Sequence, residues 1–122
     1  MAYTVAELFR TMPERFKPQA ADNLVATVVY EFGDGRKWTV RISNGVLKVD
    51  TGDSAEGREH ARIIFETENV MLDIITGKRE PLLAVLRGDL QVVGDWRLLL
   101  KVRSSFEIPK QLLENDTGGR HG

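Results

Sequence analysis

The side chains able to do chemistry in this chain are few and stand apart. There is no cysteine, which excludes disulfides, thiolate metal ligands and a cysteine nucleophile. The two histidines, His60 and His121, lie beside a polar loop and near the C-terminus. No carboxylates surround them at metal-ligand spacing, so no metal site is expected. Serine hydrolysis asks for a serine on a sharp glycine-flanked turn with a histidine in reach, and Ser43, Ser54, Ser104 and Ser105 lack that setting. Gly33, Gly35, Gly118 and Gly119 match neither a phosphate-cradling loop nor a dinucleotide fingerprint and read as turns and tail. Asp73 sits inside an apolar helical run, where burial would lift its pKa toward that of a general acid or base. Such a residue more often faces solvent. Lys78, Arg79, Arg87, Arg97, Lys101 and Arg103 form the local basic concentration, with Arg97 and Lys101 on one helix face at four-residue spacing. That face is either solvated or in contact with a phosphate head group. The expectation is a non-catalytic protein without metal or cofactor.

Composition narrows the setting. Seventeen Lys and Arg against eighteen Asp and Glu give a formal net charge of -1, so no global field draws the chain to nucleic acid, and membrane contact is at most transient. With 122 residues and 42% hydrophobic content, one core burying roughly two thirds of the unfolded surface is expected. Residues 1–113 are expected to form a single domain and residues 114–122 a flexible tail. The first ten residues contain Glu7 and Arg10 and no long apolar run, so neither a signal peptide nor a membrane span is expected there. The C-terminal Arg120-His121-Gly122 lacks a peroxisomal address. A cytoplasmic location is the expectation.

The elements follow from periodicity. Val5, Leu8, Phe9, Met12 and Phe16 trace a helical stripe after Thr4, a cap with Glu7 three residues on, and Pro13 divides the segment into two short helices. Leu24 to Phe32 and Lys37 to Ser43 read as strands joined at Gly33-Asp34-Gly35. Asn44-Gly45 turns the chain into a third strand, Val46 to Val49. A polar loop, Asp50 to His60, leads to a fourth strand, Ala61 to Thr67. Asn69 to Thr76 reads as a helix stopped at Gly77, and a second helix runs from Pro81 to Gly88. Leu90 to Val93 is a short strand, and Asp95 caps a helix from Trp96 to about Phe106. Ile108 to Leu113 is apolar enough to pack. The class is α+β.

Two stretches in this order carry a resemblance. Asn69-Val-Met-Leu-Asp-Ile-Ile-Thr-Gly-Lys78, then Pro81, then Leu86-Arg-Gly-Asp-Leu-Gln-Val-Val-Gly-Asp95 resembles the helix, turn, helix and strand of the sterol carrier protein 2 family. The Trp38-x-Val-x-Ile42 strand followed by Asn44-Gly45 is similar to that family's meander. The likeness spans roughly Val5 to Phe106. Asp89 and Gln91 depart from it, standing where the family commonly carries lysines. The resemblance implies a five-stranded, mostly antiparallel sheet with helices on one face. It also implies a hydrophobic tunnel that takes fatty acids, acyl-coenzyme A or sterols.

The apolar inventory bears on function too. The last helix offers Leu98, Leu99, Leu100, Val102 and Phe106, a wider stripe than one buried face needs. A ligand-filled cavity, a second core layer or a homodimer partner would cover it. Together with the resemblance, this leads to binding or transfer of a lipid-like ligand. The expected lining is Phe9, Trp38, Val40, Ile42, Phe65, Ile74, Ile75, Leu82, Leu83, Leu86, Leu99, Val102 and Phe106. The alternatives are an accessory or dimerisation module with its apolar helix face against protein, and a small isomerase or thioesterase using Asp73.

Overall fold

The computed structural model describes residues 3–112; the expected tail from Glu114 lies outside them. Thr4 caps α1 (Val5–Arg10), its hydroxyl accepting from the Glu7 amide at 3.2 Å. Thr11 separates α1 from α2 (Met12–Arg15), and Pro13 falls in the first turn of α2, where its missing N–H costs nothing. A single turn at Pro18–Ala21 leads to β1 (Ala26–Phe32), β2 (Lys37–Ser43) and β3 (Val46–Thr51). The third strand runs past its expected end at Val49, because Thr51 pairs with Trp38 and Asp50 bonds Arg41 at 2.8 Å.

The chain then crosses over to β4 (Ala61–Phe65), which lies parallel to β1, and β5 (Leu90–Gly94) closes the far edge antiparallel to β4. The order is β3-β2-β1-β4-β5, an open mixed sheet with one parallel pair. Between β4 and β5 come α3 (Glu68–Ile75) and α4 (Pro81–Arg87). Gly88, at φ +83°, supplies the left-handed residue that ends α4. Gly94 has a second duty: a Cβ there would stand 2.5 Å from the His60 carbonyl oxygen, which keeps β5 close to the start of β4. Asp95 then caps α5 (Trp96–Ser104), accepting from the Arg97 and Leu98 amides. This helix stops before Phe106, because Phe106 forms a β-bridge with Phe16.

One face of the sheet is apolar and covered. Phe9 of α1 stacks on Trp38 of β2 with ring centroids 4.7 Å apart at 11°, and meets Tyr30 and Phe32 edge-on. Phe32 in turn stacks on Phe65 at 5.3 Å. Val28, Val40 and Ile42 fill in beside this cluster. The other face is polar. Arg62 of β4 meets Glu31 at 2.7 Å and Glu59 at 2.9 Å, and also binds Asp53. Hydrogen bonding from Arg62 holds the Asp53 carboxyl below its usual range. The Ser54 hydroxyl, then Arg62, does the same for Glu59.

Two outcomes follow. Phe9→Ala removes the centre of the aromatic cluster and should cost about 3–5 kcal/mol in a urea unfolding titration. Because Asp53 and Glu59 titrate lower in the folded chain than in the unfolded one, the unfolded chain binds more protons between the two pKa values. Their contribution is therefore complete above the ordinary carboxylate range, about pH 4, and is lost as pH falls below it. Arg62→Met should lower the thermal midpoint at pH 7 and flatten its decline between about pH 4 and pH 2.

Candidate functional site

Between the sheet and α3, α4 and α5 lies a half-enclosed cavity of about 620 Å³. Ligand pockets in general run from about 300 to 1,000 Å³. Alternation along the strands builds its floor: Ile63 and Phe65 of β4, Leu90 and Val92 of β5, and Tyr30 of β1 all point to the helix side. Met71, Ile74 and Ile75 of α3, Pro81, Leu82 and Val85 of α4, and Trp96, Leu99 and Leu100 of α5 supply the helical surround. Leu8 and Met12 enter from the first two helices, and Phe106, Ile108 and Pro109 from the segment after α5. Burial raises the Tyr30 hydroxyl well above its ordinary value, so the floor carries no phenolate charge.

The cavity is open because α4 is too short and too apolar to close it. Ala84 is the residue of α4 that is buried. Leu82 is 64% and Leu86 73% exposed, and Trp96, at the start of α5, is 57% exposed. Leu82, Val85, Trp96, Leu100 and Ile108 are thus both lining and surface, an apolar rim continuous with an apolar interior. A cluster of this kind marks a binding surface more often than scattered exposed leucines do.

Charged groups reach the lining in four places: Arg15, Glu80, Arg103 and Glu107. Arg15 donates from Nη2 to the Leu8 carbonyl at 2.6 Å and from Nη1 to the Glu107 carbonyl at 2.9 Å. Burial lowers its pKa, and Tyr3 and Glu14 partly oppose that shift. Asp73 is not in the lining. It pairs with Arg79 at 2.9 Å, so the carboxylate named for the isomerase or thioesterase alternative stands outside the lining. His60 accepts from the Thr27 amide at 3.0 Å. The Ser104 and Ser105 hydroxyls donate to the Lys101 carbonyl. Among the described residues, no group of acidic or imidazole side chains converges on a metal position, and no helix is long and apolar enough to cross a membrane.

The structure brings Phe65, Ile74, Ile75, Leu82, Leu99 and Phe106 together in the lining. Phe9, Trp38, Val40, Ile42 and Val102 belong instead to the closed core. The reason lies in sheet order: β2 is on the half covered by α1, whereas the cavity lies over β1, β4 and β5. Leu83 and Leu86 are displaced the other way, outside the lining and exposed. Sequence reasoning missed Ile63, Leu90 and Val92, although strand alternation places each on the same face as Phe65. It also missed Leu8, Met12 and Met71. Trp96 and Leu100, four residues apart on α5, carried a legible signal.

The family model for the alkyl sulfatase C-terminal domain matches residues 1–112 of the chain. Comparison with curated protein sequences finds no match. Among solved structures, the inverting sec-alkylsulfatase Pisa1 from Pseudomonas aligns with a TM-score of 0.75 at 20% identity, covering 87% of this chain and 17% of that one. The chain thus spans about a sixth of the length of that relative. Palmitated sterol carrier protein 2-like 2 from Aedes aegypti aligns at 0.55 and 22% identity, over 84% of this chain and 93% of that one. Apo sterol carrier protein 2 from Yarrowia lipolytica aligns at 0.57 and 18% identity, over 78% and 90%. These likenesses establish a sterol carrier protein 2 fold, in line with the sequence resemblance, and the match over residues 1–112 places the chain in the alkyl sulfatase C-terminal domain family.

Proposed function

We propose that the cavity holds the alkyl or acyl chain of a single-chain amphiphile, and that the domain binds this ligand without transforming it. The observation that carries the reading is the apolar cavity of about 620 Å³, continuous with an exposed apolar rim. Burial of the hydrocarbon chain supplies most of the affinity. About twelve methylenes at roughly 0.8 kcal/mol each give about 10 kcal/mol gross. An association cost of at least about 4 kcal/mol leaves a Kd of tens of micromolar. The Aedes relative's palmitated state supports an acyl chain as occupant.

A second reading has its own support. Membership in the alkyl sulfatase C-terminal family, and a relative in which this fold is about a sixth of the chain, favour an accessory module. In that role the domain holds the hydrocarbon part of an alkyl sulfate while chemistry occurs on another unit. The two readings share one cavity and one ligand class. A homodimer burying α4 is the competing account of the exposed leucines.

Titration with a fluorescent long-chain fatty acid should give a saturable signal in the micromolar range. Native mass spectrometry should show a monomer carrying adducts of amphiphile mass. No saturation from a folded monomer, or a ligand-free dimer, would overturn the proposal. Leu99 lines the cavity and is half-buried, whereas Val102 on the same helix is fully buried. Leu99→Trp should therefore weaken fatty-acid binding at least tenfold with little change in thermal midpoint. Val102→Trp, which overpacks a closed core, should cost about 1–3 kcal/mol of stability.

A further inference from the structure

Arg15 is a partly buried cation that forms no ion pair among the described residues. Arg36, Arg41, Arg62 and Arg79 each meet a carboxylate within 3.0 Å. Arg15 forms no such pair, and its partners are two backbone carbonyls. Carbonyls satisfy N–H groups but do not neutralise a charge. Its Nε is the one buried side-chain nitrogen or oxygen among the described residues that has no hydrogen-bond partner. A buried guanidinium N–H without a partner, at the wall of a cavity, is a donor open to an oxyanion of a ligand.

A second cation lines the same cavity. The Glu107 amide donates to the Arg15 carbonyl at 2.9 Å and the Lys17 amide to the Ser105 carbonyl at 2.8 Å. With the Phe16–Phe106 bridge, these bonds tie the end of α2 to the end of α5. Arg103, in the last turn of α5, lines the cavity as well and has no carboxylate partner. Glu80 and Glu107 also reach the lining, and neither pairs with Arg15 or Arg103. Glu107 gives Arg15 its backbone oxygen only.

We infer that Arg15, assisted by Arg103, seats the anionic head group of the bound amphiphile at this end of the cavity. The ligand class is then a single-chain amphiphile ending in an oxyanion, a carboxylate or a sulfate or phosphate monoester, in preference to a neutral alcohol or sterol. A guanidinium offers planar paired donors that match such oxyanions, and the apolar surroundings strengthen the contact. This inference rests on the chain-binding reading above.

The test compares dodecanoate, dodecyl sulfate and dodecanol, each below its aggregation concentration, by calorimetry on wild type, Arg15→Met and Arg103→Met. Wild type should bind both anions at least tenfold more tightly than the alcohol. Arg15→Met should abolish that preference by weakening the two anions far more than dodecanol, and Arg103→Met should reduce the preference at least threefold. If wild type binds all three equally, the head-group assignment is wrong while the chain-binding reading stands. If none binds, both fall. An equal loss of anion and alcohol affinity in Arg15→Met, with a lowered melting temperature, would make Arg15 a clamp between α2 and the segment after α5, and would overturn the inference. Should Arg15→Met not fold, an unchanged anion preference in Arg103→Met overturns it as well.

Discussion

The stacked pair of Phe9 and Trp38 decides which half of the sheet is closed. At 4.7 Å and 11°, with Tyr30 and Phe32 packed edge-on around it, it draws α1 down over β1 and β2. Large aromatic side chains bury the most apolar area per residue and contribute further through ring geometry. The two opening helices are short and their rings are spent on this half, so β4 and β5 must be covered by α3, α4 and α5. These helices bring leucine, isoleucine and methionine but little that is large enough to fill the space between them and the strands. The cavity is what remains once the aromatic cluster has taken its place.

Sheet order then explains which parts of the site were legible in the sequence. The elements themselves were plain. Asn44 at φ 53° and Gly45 at φ 74° make the tight turn their types announce, Thr4 and Asp95 cap the helices they precede, and Pro13 divides α1 from α2. What local pattern does not encode is that β4 returns to pair parallel with β1, leaving β2 and β3 on the far side. Trp38, Val40 and Ile42 have the alternation of a buried face, and they are buried. Whether a buried face meets a helix or a void is settled by elements far away in the chain. Leu83 and Leu86 show the same gap from the other direction, since apolar spacing in a seven-residue helix does not say which leucines find a neighbour.

The polar face of the sheet frees the other one to be unusual. Arg62, bound by Glu31, Glu59 and Asp53, ties β1, β4 and the crossover segment together through charged groups that stay partly wet. Exposed ion pairs contribute little one at a time, but a shared arginine with several partners forms a network with defined geometry. The crossover is held at both ends by this means, with the His60 backbone carbonyl accepting from Asp95 and its imidazole from Thr27. The register of β4 against β1 therefore does not depend on filling the space above β4. A sheet fixed from its polar side can leave part of its apolar side unfilled.

That arrangement has an energetic consequence. Apolar walls without facing atoms forgo the dispersion contacts that close-packed interiors make, and water gains little in an apolar space. An occupied cavity recovers both terms, so a ligand that binds the folded chain and not the unfolded one raises stability by RT ln(1 + [L]/Kd). The side chains that gain most are those left exposed beside the cavity, the leucines of α4 and Trp96 at the start of α5. The aromatic half of the sheet is packed by the chain itself, whereas under the proposed function a bound ligand would give the exposed apolar face of α4 the cover that the chain does not supply.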